Sequence, residues 1–232
     1  MTPFLLVSLL MFLVWLAFFL FSDETRQEQL VMSIVGLVLS PGVLIIAATD
    51  YRAIVSETAS AVGIEDLIFA FSFFGVAAVI FQVLVGQHAH KIRGERYKTE
   101  HLGHWIGHLA IVFGVWAVVT LTTVYVFDLT SVQAFIIGGL MVGMHVIADR
   151  HDLLMNALVS GFFMALLIFV LENIFFVRLF PLEAGTFWQL DNLSPLLLGG
   201  VPMEELVWAG VAGFTIGPLY EWLRHLKLKS DA

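Results

Sequence analysis

Seven runs of apolar residues, near 3–21, 30–49, 64–86, 105–127, 131–148, 153–177 and 196–220, divide the chain. Each approaches the roughly 20 residues that an α-helix needs to cross hydrocarbon. Polar and charged residues gather in the short stretches between them. The pattern predicts an all-α, polytopic membrane protein with seven transmembrane helices. The first run lacks a basic leading region and a small-x-small cleavage site, so it is expected to be a retained helix.

Composition agrees. Of 232 residues, 59% are hydrophobic and 13% charged, against about 25% charged in a soluble domain. There is no cysteine, which excludes disulfide and thiolate chemistry. Despite a net charge of −8, no basic stripe marks a nucleic-acid partner.

Lysine and arginine set the expected orientation. With the N-terminus outside, Arg26, Lys91, Arg93, Arg96, Lys98, Arg150, Arg224, Lys227 and Lys229 are cytoplasmic, leaving only Arg52 and Arg178 of the eleven basic residues outside. That asymmetry fits the positive-inside rule. It predicts a multi-pass protein of the cell membrane with a cytoplasmic C-terminus.

Two polar interruptions echo each other. Residues 63–70 read "GIEDLIFA" and residues 202–209 read "PMEELVWA". Each opens the third helix of a three-helix group, so the plan is 3+1+3 with both triplets in the same orientation, a parallel internal repeat. The expected parts are a first repeat at 1–87, a His-rich loop and linking helix at 88–130, a second repeat at 131–221 and a tail at 222–232. An opsin reading of the seven helices fails because the last helix has no lysine to carry a retinal Schiff base.

Carboxylates at a helix start have an ordinary use, since they face exposed amides and the positive end of the dipole. Pro202 suits that first turn as well. Direction suggests more. Four residues on, the same helix face recurs, placing Phe69 beyond Glu65 and Trp208 beyond Glu204, whereas Asp66 and Glu205 precede Ala70 and Ala209. Glu65 and Glu204 are therefore expected to line a cavity with Phe69 and Trp208. Asp66 and Glu205 are expected to cap, or to pair with Arg52 or Arg178. An apolar cavity with carboxyl groups beside aromatic rings can protonate an alkene, stabilise the cation and take a proton back.

These residues resemble the lycopene cyclase domain of archaea, fungi and some actinobacteria. The similarity lies in "LLLGGVPMEELVWAG" (196–210), "FWQLDNLSP" (187–195), "DRHDLLMNALVSGFFMALL" (149–167) and, in the first half, "GIEDLIFA". The resemblance implies two three-helix halves with P-x-E-E/D motifs. It also implies a cofactor-free isomerisation in which an acid protonates one end of a carotenoid polyene and the cation closes an ionone ring. It carries the catalytic role to Glu204, Glu205, Glu65 and Asp66. Trp208, Phe69 and Pro202 are expected along the substrate cavity. Gly63 replaces the proline of the first motif, His151 departs from the family pattern, and residues 88–108 have no counterpart.

The histidines open a second reading. On this topology all eight are cytoplasmic, and His101, His104 and His108 share one helix face. With His145 and His151 they form a possible divalent-metal set, although histidine is also at ease at a membrane interface. Neither H-E-x-x-H nor a paired-His box is present. Three functions therefore compete: a carotenoid cyclase, a metal-dependent membrane enzyme, and a non-enzymatic carotenoid or lipid binder. The expected partner in the first and third is a long apolar polyene or lipid.

Overall fold

The computed structural model describes residues 2–51, 62–91 and 102–230. Among these described residues, six helices are long and apolar enough to cross a membrane: α1 (Pro3–Phe21), α2 (Arg26–Ala47), α3 (Ile64–Val85), α4 (Leu102–Phe127), α5 (Ser131–Asp149) and α6 (Leu154–Glu172). The chain is a multi-pass membrane protein. Large apolar side chains such as Val38, Ile111 and Phe162 are exposed, as expected of faces that meet lipid rather than water.

The seventh predicted span differs from its expectation. Residues 197–202 form a small antiparallel pair, β2 (Leu197–Leu198) and β3 (Val201–Pro202), joined by Gly199 and Gly200 at φ +59° and +91°. These backbone angles favour glycine, which has no Cβ to clash. The helix begins only after them and is divided into α8 (Met203–Ile216) and α9 (Leu219–Arg224). Pro218 separates the pieces, because its ring and missing N–H disfavour an uninterrupted helix. Between α6 and α8 lies a short helix, α7 (Pro181–Phe187).

A second departure from an all-helical chain is the pairing of β1 (Gln87–Lys91) with β4 (Leu226–Ser230). It ties the start of the segment predicted as a His-rich loop to the C-terminal tail.

Close helix approach depends on small residues. A Cβ on Gly161 would lie 2.8 Å from the carbonyl oxygen of Gly210, and one on Gly213 would lie 2.7 Å from that of Ser160. These positions bring α6 and α8 into backbone contact.

A buried polar group joins α2, α3, α6 and α9. The Gln82 amide donates to Glu28 (2.8 Å) and to Glu221 (3.0 Å), and Asn156 donates to the same Glu221 oxygen at 3.0 Å. All four side chains are buried. Polar groups at such depth require partners, and these partners come from both ends of the sequence.

The helix limits have a regular spacing. Both ends of α5 lie 128 residues beyond those of α1 (3 to 131, 21 to 149), and α6 starts 128 beyond α2 (26 to 154). Together α8 and α9 cover the limits of α3 shifted by 139 (64 to 203, 85 to 224).

Candidate active site

Three carboxyl groups face an apolar cavity of about 390 Å³ between α2, α3, α4, α5, α6 and α8: Asp66, Glu172 and Glu205. This volume falls in the range of small-ligand pockets, about 300–1,000 Å³. The remaining wall is largely aromatic, with Phe69, Phe73, Phe113, Trp116, Phe135 and Trp208 among its residues.

Glu205 is 3% exposed. Its Oε1 accepts from Trp188 Nε1 and its Oε2 from Trp208 Nε1, both at 2.7 Å. Trp208 is on the same helix, three residues later, whereas Trp188 arrives from the loop after α7. That loop is held by Phe176, which stacks on Phe187 at 4.8 Å between ring centroids and contacts Trp188 at 5.1 Å.

Glu172 is the last residue of α6, where the helix widens into a π-helical stretch, Asn173–Leu179. Such widenings recur at functional sites. The Glu172 carboxyl lies within hydrogen-bonding reach of Glu205, while its Oε2 is buried without a partner. The β2–β3 turn holds this region in place: Asn173 donates to Gly199 O at 2.7 Å.

Tyr51 also lines the cavity. Burial, followed by the nearby charges of Glu205 and Glu172, pushes its phenol well above the usual tyrosine range. It therefore stays protonated, a neutral O–H beside two acids. The adjoining Asp50 fixes its position by accepting from the backbone N–H and hydroxyl of Ser131 at the start of α5. Asn192 donates to Asp50 O at 2.7 Å, and Gln189 N–H to Tyr51 O at 3.1 Å.

The face argument made from sequence is reversed here. Glu65 and Glu204 are not among the cavity-lining residues, whereas Asp66 and Glu205 are. Glu204 is half-buried outside the cavity lining and accepts the backbone N–H of Ser194 at 2.7 Å. Glu65 folds back over Gly63, where a Cβ would meet its carboxyl carbon at 2.7 Å. The Gly63 N–H donates to Asp66 at 2.7 Å, a bond that a proline at this position could not make. The error was to weigh the residue four positions on, since Trp208 bonds instead to the carboxylate three positions before it.

Asp66 accepts the Gly63 N–H at 2.7 Å and also faces the cavity. Glu205 is not a cap. Phe69 and Trp208 line the cavity; Pro202 does not, being the buried residue that leads into α8. Arg178 is exposed and the oxygens of Glu205 are taken by indoles. Arg52 lies outside the described residues. Glu172, Tyr51 and Trp188 were missed. The available signal was "VLEN" at 170–173, an acid closing an otherwise apolar run.

The histidine set does not assemble among the described residues. They contain no group of three or more His, Cys, Asp or Glu side chains able to hold a metal. His108, His145 and His151 are exposed, with His145 edge-on to Trp222 at 6.0 Å. His101 lies outside the described residues, and the side chain of His104 is not among those described.

Comparison with known families bears on the region containing both paired acids. Residues 128–223 match the lycopene cyclase family model. The lycopene cyclase match runs from just before α5 to the penultimate residue of α9, taking in Glu172, Trp188, Glu205 and Trp208. The resemblance read from residues 187–210 is therefore shown for this part of the chain. The motif at 63–70, with Asp66, and the loop bearing Tyr51 precede the matched stretch. Searches of curated proteins and of solved structures gave no match.

Proposed function

We propose that this protein is a carotenoid cyclase of the lycopene type. A carboxylic acid in the cavity protonates the terminal alkene of a linear polyene, and the resulting cation closes an ionone ring before losing a proton. The observation that carries this reading is the contact of Glu172 with Glu205 on the wall of an apolar, aromatic cavity, within the matched stretch.

The chemistry suits the surroundings. Two touching carboxyl groups in an apolar site can share one proton, one serving as acid and the other as base. Ring faces stabilise a nearby cation. Phe73 and Trp208 lie 5.2 Å apart, and Phe69 and Phe73 lie 5.6 Å apart, so a carbocation near them meets more than one ring. The reaction is an intramolecular isomerisation and requires neither redox cofactor nor metal.

The architecture belongs to the same reading. The spacing of 128 and 139 residues between helix limits supports a parallel 3+1+3 repeat, with α8 and α9 as one interrupted seventh span. The positive-inside pattern supports an external N-terminus. The paired acids then lie towards the outer leaflet of the cell membrane, within reach of a substrate dissolved in lipid.

Expression in cells that accumulate lycopene tests the activity. Membrane-inserted protein should convert lycopene to singly and doubly cyclised products separable by chromatography. Co-purified pigment with no conversion would instead identify a carotenoid-binding protein.

A further inference from the structure

Resting on the cyclase reading, we infer that Glu172 is the proton donor and that Glu205 is the ionised partner that receives the returning proton. The hydrogen bonds distinguish the two acids. Glu205 accepts one indole N–H on each oxygen, at 2.7 Å and 2.7 Å. Neither indole can accept a proton in return, so both bonds favour the charged form. Among the described residues Glu172 receives no such donor, and its buried Oε2 has no partner there. With one proton between the two, it resides on Glu172.

The first triplet makes the assignment sharper. Shifting α6 back by 128 residues sets Leu44 at the position of Glu172, and both side chains line the cavity. Shifting α8 back by 139 sets Asp66 at the position of Glu205. At these matched positions one half thus supplies two acids, and the other an acid and a leucine. That single acid, Asp66, also caps Gly63.

The steps balance. Glu172 gives its proton to the terminal alkene, whose π pair becomes the new C–H bond. A second alkene of the same molecule closes the C–C bond on the resulting cation. A ring C–H pair then becomes the new double bond, and its proton goes to the Glu205 carboxylate. The pair ends with one proton, now on Glu205, and transfer across their contact restores the start.

The test uses the full chain in membranes, with lycopene as the probe. Equal amounts of inserted wild type, Glu172→Gln, Glu172→Asp and Glu172→Leu are compared for conversion and for lycopene retained on purification. Loss of a general acid lowers turnover by about 10²–10⁴-fold. Glu172→Gln and Glu172→Leu should fall by at least about 100-fold while retaining lycopene, and Glu172→Asp should recover measurable turnover. Glu172→Leu adopts the residue already present at the matching position, so it guards against a variant that fails to insert. Turnover by Glu172→Gln or Glu172→Leu near the wild-type rate would overturn the assignment. So would an aspartate variant as inactive as both of them. If wild type itself leaves lycopene unchanged, the cyclase reading fails instead.

Discussion

Trp188 and Glu205, seventeen residues apart in sequence, meet through a 2.7 Å hydrogen bond inside the protein. The contact links the loop after α7 to the first turn of α8, so the carboxylate cannot be set correctly until that loop has closed over it. Replacing Trp188 by Phe removes the donor and keeps an aromatic ring against Phe176. A hydrogen bond to a charged group contributes about 1.5–3 kcal/mol, so lycopene conversion per inserted molecule should drop by roughly 10–150-fold. Unchanged turnover would show that the indole is only packing.

The adjacent glutamates should respond in opposite ways. Glu205→Gln changes the charge between the two indoles and should lower conversion by at least about 100-fold. Glu204→Gln keeps an oxygen that can accept the Ser194 N–H and should retain most activity. Product chromatography on matched membranes decides the order. Equal losses at both positions would argue against the separate roles that the cavity assigns.

Gly161→Leu offers a test of the helix packing alone. Its Cβ would lie 2.8 Å from a backbone oxygen of α8, which cannot move like a side-chain tip. Overpacking of this kind costs about 1–3 kcal/mol. Thermal unfolding of the purified protein in detergent should shift downward, whereas Gly107→Leu, where the added Cβ meets no neighbour within 4 Å, should shift little.

Gln82→Leu should destabilise the protein without touching the cavity. It removes the amide that donates to Glu28 and Glu221 and leaves two buried acids short of a donor, each loss costing about 1–3 kcal/mol. A melting temperature equal to wild type would show that the two acids find other partners.

Much of this fold was legible in the sequence because the apolar runs are long and their lengths match a bilayer. Six became continuous spanning helices. The seventh was harder: Gly199 and Gly200 sit inside an apolar run, and hydropathy cannot distinguish a glycine turn from a helix start. The candidate site was legible in outline through the paired acids of 63–70 and 202–209. Its orientation was not. A period of 100° per residue locates faces only relative to one another, and the face that points inward is set by distant residues. Trp188 selects Glu205 from a loop, and Ser194 draws Glu204 away. Glu172 belongs to neither paired-acid motif; an acid closing an apolar run was its one sequence signal, and its contact with Glu205 gives that signal a meaning.

The bridge made by Gln82 also has a consequence for the order of synthesis. The first three helices emerge from the ribosome carrying Glu28 and Gln82, and the acid that completes their hydrogen bonding, Glu221, follows 139 residues later. Until then the Gln82 amide has one of its two carboxyl partners, and the early helices remain unfinished. A chain truncated before α9 therefore leaves Gln82 and Asn156 without the carboxyl group that joins the two ends of the sequence inside the membrane.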